Sequence, residues 1–398
     1  MKRHQMINRK TVLSCLFLCA AVLQVDAQVL KPGLDKEILK TKQGSIVELP
    51  GFLTEKINQI NYKKIVLPGP QFMISDDPEY IRVPEAIALK EPVVPGAVRL
   101  YIYNVNGVKD PVKIDRKIVA LLKNTGSAPM HVRMIKYSSQ KPSLNYFQIG
   151  KQGLYDYFTS NDENVIRTVA PGGSILIDEK LDKHIVKFDE LVHGFYEFVI
   201  DQPGEISVVQ AAPSASVSYM VNNIKNVVPI GHANAGRGTF GVSNYKVDNE
   251  SVIDTKDGVV QLMVADGVKD PWVIGKEGHS GDEAKLAGNY GVMYDIELKW
   301  KSTDGKGLAL VTWNSRSADN QWCGGMATSM VVSSGIFPGG VIQLPKDQLI
   351  TKKSPEAVLV QIFKPGKTSE EQIIKLKYSP PGASCLPTPL IFVPIDLN

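Results

Sequence analysis

Tyr290–Trp300 reads YGVMYDIELKW. Val292, Tyr294, Ile296, Leu298 and Trp300 fall at every second position, with Met293, Asp295, Glu297 and Lys299 between them. A period of two marks a strand with one buried face, because successive side chains of an extended backbone point to opposite sides. STDGKG follows as a turn, and LALVTWN opens the next strand. In the first half of the chain, KIVALLKNTGSAPMHVRMIKYS repeats the scheme. An apolar run leads to the turn NTGSAP, after which Met130, Val132 and Met134 alternate with His131 and Arg133. Segments of this kind, broken by Gly, Pro, Asn and Asp, dominate the sequence. Only SLNYFQIGKQGLYDYF and KHIVKFDELV read as helical. The fold is expected to be mainly β with few short helices.

Working outward, an internal repeat appears. GVKDP occurs at Gly107–Pro111 and again at Gly267–Pro271, each time after a strand-like run, VRLYIYNV or VVQLMVA. Three companions keep the same order. QFMIS at Gln71 has a counterpart in TFGVS at Thr239, VAPGGSILI in IFPGGVIQL, and FVIDQPGE in VQIFKPGK. Ordered landmarks at nearly constant separation predict two tandem, duplicated β-sandwich modules. They divide the chain into residues 1–27 (signal peptide), 28–66 (a leading segment able to supply an extra strand), 67–213 (module 1), 214–235 (linker) and 236–398 (module 2).

The first 27 residues have the layout of a secretory signal. Lys2, Arg3, Arg9 and Lys10 precede an apolar run from Thr11 to Leu23, and Val25 and Ala27 supply the small residues before a cleavage site at Gln28. The run falls short of the roughly 20 residues of a permanent membrane helix, although retention as an anchor stays open. No later segment is apolar enough to span a membrane. The whole chain carries 45 basic and 41 acidic residues, and without the signal the two nearly cancel. No basic cluster remains to bind nucleic acid. Outside the signal the cysteines are Cys323 and Cys385, which in an oxidising compartment most simply form one disulfide. A loop of that length would be stabilised by about 4 kcal/mol.

Motifs with chemistry are weak. GRGTFG at Gly236–Gly241 matches GxGxxG, but the polar, turn-rich VSNYKVDNESVIDTKDG that follows provides no helix to receive a pyrophosphate. His131, His184, His193, His232 and His279 are scattered and show no HxH or HExxH spacing. GHSGD around Ser280 is not GxSxG, and SSQK at Ser138–Lys141 lacks the companions of an SxxK enzyme. No catalytic residue and no metal ligand is assigned. VDNESVIDTKDG lacks the order of a calcium loop, and TKDG reads as a hairpin tip. A calcium ion held by loop carbonyls and scattered aspartates stays open; no other cofactor is expected. Trp272, Trp300, Trp313 and Trp322 all lie in the second module. Trp300 reads as core, which leaves Trp272 and Trp322 as candidate ligand-binding residues able to stack on sugar rings.

LLKNTGSAP followed by a strand resembles the Ig-like and related sandwich modules of bacterial surface proteins. GRGTFGVSN, GVVQLMVADG and AGNYGVMYDIEL, with SPPGASCLPTPLIFVP near the end, resemble a family of exported bacterial cell-envelope proteins of unknown function with tandem Ig-like β-sandwich modules. The resemblance implies envelope localisation and assigns no site residue. The function expected is therefore that of an exported, non-enzymatic structural or adhesive protein of the bacterial cell envelope or extracellular space. Its partners would be other envelope proteins or copies of itself. The alternative is a carbohydrate-binding protein that uses Trp272 and Trp322 on glycans.

Overall fold

The computed structural model describes residues 31, 33–51, 56–231, 236–314, 324–351 and 356–397. The chain is mainly β and of sandwich type. Strand Met293–Lys301 shows the alternation of its sequence: Tyr294, Ile296, Leu298 and Trp300 are buried and Lys299 is exposed. It lies inside a seven-stranded mixed sheet in the order Gly340–Leu344, Thr328–Val332, Gln372–Tyr378, Met293–Lys301, Asn244–Asn249 and Tyr62–Leu67, with Ile253–Asp254 also paired to Met293–Lys301. Facing it is a six-stranded sheet, Ile46–Glu48, Glu356–Phe363, Gly307–Thr312, Thr388–Ile395, Val260–Val264 and Asn58–Gln59. Leu308, Leu310, Val358, Val360, Leu390 and Phe392 belong to the same core as Ile296, Leu298 and Trp300. The alternate residues Ala309, Val311, Ala357, Leu359, Ile391 and Val393 pack instead with Ile38, Val47 and Leu49. Both faces of the six-stranded sheet are thus buried, which is why Gly307–Thr312 and Thr388–Ile395 are apolar nearly throughout.

The other sandwich pairs a four-stranded antiparallel sheet with a nine-stranded one. The first runs Ser174–Leu176, Lys117–Asn124, Gly204–Ala211 and Ala86–Val93. The second runs Ile166–Val169, Met130–Ser139, Leu191–Ile200, Gly96–Asn106, Gln71–Ser75, Arg237–Phe240, Val273–Lys276 and Glu283–Leu286, with Tyr80–Ile81 beside Gly96–Asn106. Val98, Leu100, Ile102, Leu122, Phe198 and Val208 share the core between them. The opposite face of the nine-stranded sheet, with Phe72, Ile74, Tyr101, Tyr103 and Phe195, joins the core of the first-described sandwich.

Sheet membership does not follow the boundaries read from the repeat. The leading segment, beyond one extra strand, forms helix Leu34–Lys40 and three strands, all built into the sandwich of residues 236–398. In return, Arg237–Phe240, Val273–Lys276 and Glu283–Leu286 extend the nine-stranded sheet of residues 67–213. The stretch 214–235 contains helix Val217–Asn223, whose Met220 is buried, and Val227 bridges to Ile87. Two landmark strands lie side by side at the junction: Phe72 is paired with Phe240, and their rings are 6.0 Å apart.

GVKDP does not form the same turn twice. In the first copy Val108 is buried, Asp110 is exposed and the Asp110–Pro111 peptide is cis. In the second copy Val268 is 81% exposed and Asp270 is buried. Asp270 pairs with Lys64, a residue of the leading segment, so the differing surroundings of the two copies select differing conformations. KHIVKFDELV is not a helix. Val186 bridges to Arg116, Asp189 has φ 69° and Leu191 already starts a strand. TKDG is not a hairpin tip either. Thr255–Asp257 forms one 3₁₀ turn that carries the chain from one sheet to the facing one.

Candidate functional site

Where the two sandwiches meet, residues from five segments enclose a recess of about 370 Å³. Strand Gly96–Asn106 supplies two of its walls through simple alternation. Val98, Leu100 and Ile102 turn to one core, while Tyr101 and Tyr103 turn to the other side. The Tyr101 hydroxyl accepts a 2.8 Å hydrogen bond from the Gly382 N–H, and its ring meets Phe195 edge-on at 5.1 Å. Gly382 also lies against Tyr103, so close that a Cβ there would stand 2.3 Å from the ring. Helix Tyr146–Thr159, capped by Asn145 Oδ1 on the Gln148 N–H, delivers Tyr146 and Phe147 in its first turn. The Tyr146 hydroxyl donates to the Asp189 carbonyl at 2.8 Å and lies 3.1 Å from the Tyr80 hydroxyl. Tyr290 comes from the loop before Met293–Lys301. Asp76 and Glu79 come from the bend after Gln71–Ser75, on either side of the cis Asp77–Pro78 peptide.

The recess is acidic. Burial holds the Asp76 carboxyl well above the usual carboxylate range, and the charges of Glu79 and Asp77 add to this. Burial and then Asp189 raise Glu79. Burial also raises the hydroxyls of Tyr101, Tyr103, Tyr146 and Tyr290, so all four are neutral donors or acceptors at physiological pH. The side chains of Asp76, Glu79, Tyr103 and Tyr290 have no hydrogen-bond or ion-pair partner among the described residues.

Elsewhere the buried ionisable groups are occupied by internal contacts. Arg99 pairs with Glu197 and donates to the Ser243 carbonyl at 2.6 Å and to Asn244 Oδ1 at 2.9 Å. Lys151 donates to the carbonyls of Pro345, Gln348 and Leu349 at 2.9 to 3.0 Å. Arg237 meets Glu277 at 3.0 Å with both side chains buried. Burial pushes His193 down to about 3, so it is neutral, with Nδ1 3.0 Å from Gln140 Oε1. Such groups act as structural ties, and Arg99 and Glu197 also line a second recess of about 400 Å³.

The residues singled out from sequence are not brought together. Trp272 is half-buried; Gly267 lies against its indole, Lys285 Nζ stands 5.2 Å from the ring, and the buried indole N–H of Trp272 has no partner among the described residues. Trp322, Cys323 and His232 lie outside the described residues, as does the signal peptide. Cys385 Sγ accepts from the Gly325 N–H at 3.5 Å. His131 is exposed and 2.6 Å from Asp201. Of the GRGTFG motif, Arg237–Phe240 is a strand. In the acidic stretch, Asp254 accepts from the Thr303 hydroxyl at 2.9 Å, and Asp248 pairs with Lys246. Among the described residues no group of three His, Cys, Asp or Glu could hold a metal ion. The acidic tyrosine recess itself was missed. Its signals were YIY, which puts two tyrosines on one strand face, and DDPEY, a run of acids at a proline bend.

No family model matches this sequence, and no curated protein matches it. Among solved structures, the chain is similar to the CUB1-EGF-CUB2 domain of human MASP-1/3 at 10% identity, covering 84% of this chain and 99% of that one, with a TM-score of 0.18. It is similar to a Lactobacillus farciminis oxalate decarboxylase formate complex at 9% identity, covering 84% and 90%, with a TM-score of 0.16. Among the described residues no helix is long and apolar enough to cross a membrane.

Proposed function

We propose that this is an exported, non-enzymatic structural or adhesive protein of the bacterial cell envelope or extracellular space. The observation that supports it is the shared nine-stranded sheet. Together with Arg99 and Lys151, it joins both sandwiches through continuous strand pairing and hydrogen bonds, a framework suited to presenting fixed surfaces. Edge strands offer contacts to envelope partners or further copies: Ile166 on Ile166–Val169 and Ile65 and Val66 on Tyr62–Leu67 are exposed. Fractionation tests the reading. The mature protein should appear in the envelope or medium with Gln28 at its N-terminus; an unprocessed cytoplasmic chain would overturn it. The proposed Cys323–Cys385 disulfide belongs to the same reading, and the position of Cys385 beside Gly325, close in sequence to Cys323, supports it. Two free thiols in the exported protein would remove that bond.

Glycan binding through Trp272 and Trp322 is the second reading. The half-exposed Trp272 ring supports it, while its contacts with Lys285 and Gly267 leave less of the indole to stack on a sugar. Glycan-array binding that disappears in Trp272→Ala or Trp322→Ala would favour it over the first. Silence across a broad set of polysaccharides would set it aside.

A further inference from the structure

We propose that the tyrosine-lined recess binds an organic cation, the alkylammonium group of a choline-type head or of a lysine side chain. Its volume of about 370 Å³ falls in the range of small-ligand sites, and such sites favour places where domains meet. Its charge is one-sided: Asp76 and Glu79 line it, and among the described residues no lining residue is basic. Neither carboxyl group has a partner among the described residues, so two acids whose ionisation burial disfavours sit in partly buried surroundings with no basic group beside them, and a bound cation would favour their charged forms.

The walls decide what kind of cation fits. Tyr101, Tyr103, Tyr146, Phe147 and Tyr290 make most of the lining aromatic. Ring faces beside carboxylates attract a cation that carries apolar substituents, through its charge and through cation–π contact. A hard metal ion needs six or more oxygen ligands at close range, and no cluster of three ligating side chains is present among the described residues. A neutral sugar would stack on the rings but give neither acid the cationic partner it lacks. A separate observation points the same way. Tyr103 is only 5% exposed and lines the cavity with Tyr290, yet neither hydroxyl has a hydrogen-bond partner among the described residues. The inference does not depend on where the protein resides.

Isothermal titration of the purified protein tests it, using choline, N-acetyl-lysine methylamide, 3,3-dimethyl-1-butanol (the uncharged isostere of choline), glucose and calcium chloride. One ammonium compound should bind saturably at one site, about tenfold or more tighter than the uncharged isostere. Whether choline or the lysine amide binds tells the source of the ammonium group. Glu79→Gln and Tyr290→Leu should each weaken binding several-fold, while Tyr290→Phe, which keeps the ring, should retain it. Thermal unfolding of each variant checks that it is folded, and the Leu and Phe pair carries the test if Glu79→Gln is not. Equal binding of the isostere, binding of glucose or calcium alone, or no binding of either ammonium compound would overturn the proposal.

Discussion

Asp270 holds three groups at once. Its carboxylate pairs with Lys64, accepts from the Tyr294 hydroxyl at 2.7 Å and accepts from the Ala265 N–H at 2.7 Å. Removing it leaves a largely buried ammonium and a buried hydroxyl without their acceptor, a loss of about 3–5 kcal/mol for a buried pair broken from one side. Asp110 occupies the same place in an identical pentapeptide but is exposed, and its replacement should stay within about 0.5 kcal/mol. Urea unfolding of Asp270→Ala and Asp110→Ala should therefore separate sharply, and equal effects would contradict the difference in burial. No reading of the pentapeptide alone distinguishes them, because the distinction lies in Lys64, some two hundred residues away. Asp76 makes a second residue-scale prediction. Its folded pKa lies above its unfolded one, so the native state binds the proton more tightly. The contribution of Asp76 to stability is greatest below the unfolded value and is lost as pH rises through the raised one. Asn does not ionise, so Asp76→Asn should melt higher than the natural protein at neutral pH, and the gain should shrink as pH falls. A gain independent of pH would show that ionisation of Asp76 is not the cause.

At the scale of elements, helix Tyr146–Thr159 shows both what local sequence encodes and what it leaves out. Its existence is written in SLNYFQIGKQGLYDYF, with an Asn at the N-cap and Ile149, Leu154 and Tyr157 on one buried face. Its two glycines look like defects, since Gly costs about 1 kcal/mol against Ala in a helix interior. Packing explains them: a Cβ at Gly150 would lie 2.3 Å from the Gly382 carbonyl oxygen, and one at Gly153 would lie 2.3 Å from the His193 ring. The helix can press on the nine-stranded sheet and hold Tyr146 over the recess only where those positions lack side chains. Gly153→Ala should therefore destabilise by on the order of 1–2 kcal/mol, overpacking outweighing the propensity gain. A stabilised variant in thermal denaturation would mean that His193 moves freely aside. The strand Met293–Lys301 was legible for the opposite reason, since its period of two needs only its own residues. KHIVKFDELV misled because its apolar spacing fits a helix while its partners, Arg116 among them, come from elsewhere in the chain.

Across the whole molecule, the mainly β class was legible because alternation and turn chemistry are local properties. Which strand joins which sheet was not, because pairing joins residues hundreds of positions apart. Ile46–Glu48 lies against Glu356–Phe363, and Tyr62–Leu67 closes the sheet beside Asn244–Asn249. The recess was hidden by the same cause: it needs Asp76, Tyr103, Tyr146, Tyr290 and Gly382 to meet. This interlacing has a thermodynamic consequence. Arg237–Phe240 pairs with Gln71–Ser75 on one side and Val273–Lys276 on the other, so separating the halves would tear a sheet within its width. It would also strip Arg99 and Lys151 of acceptors across the junction and expose the apolar face of Phe72, Tyr101 and Phe195. Neither half then has a low-energy folded state without the other, and the two should unfold together. Calorimetry should give one transition whose calorimetric and van't Hoff enthalpies agree. A chain starting at Leu67 should lose that transition, since it lacks three strands and the Ile38, Val47 and Leu49 cover of the six-stranded sheet. Two resolved transitions, or a folded 67–213 fragment as stable as the whole, would show that the shared sheet does not couple the halves.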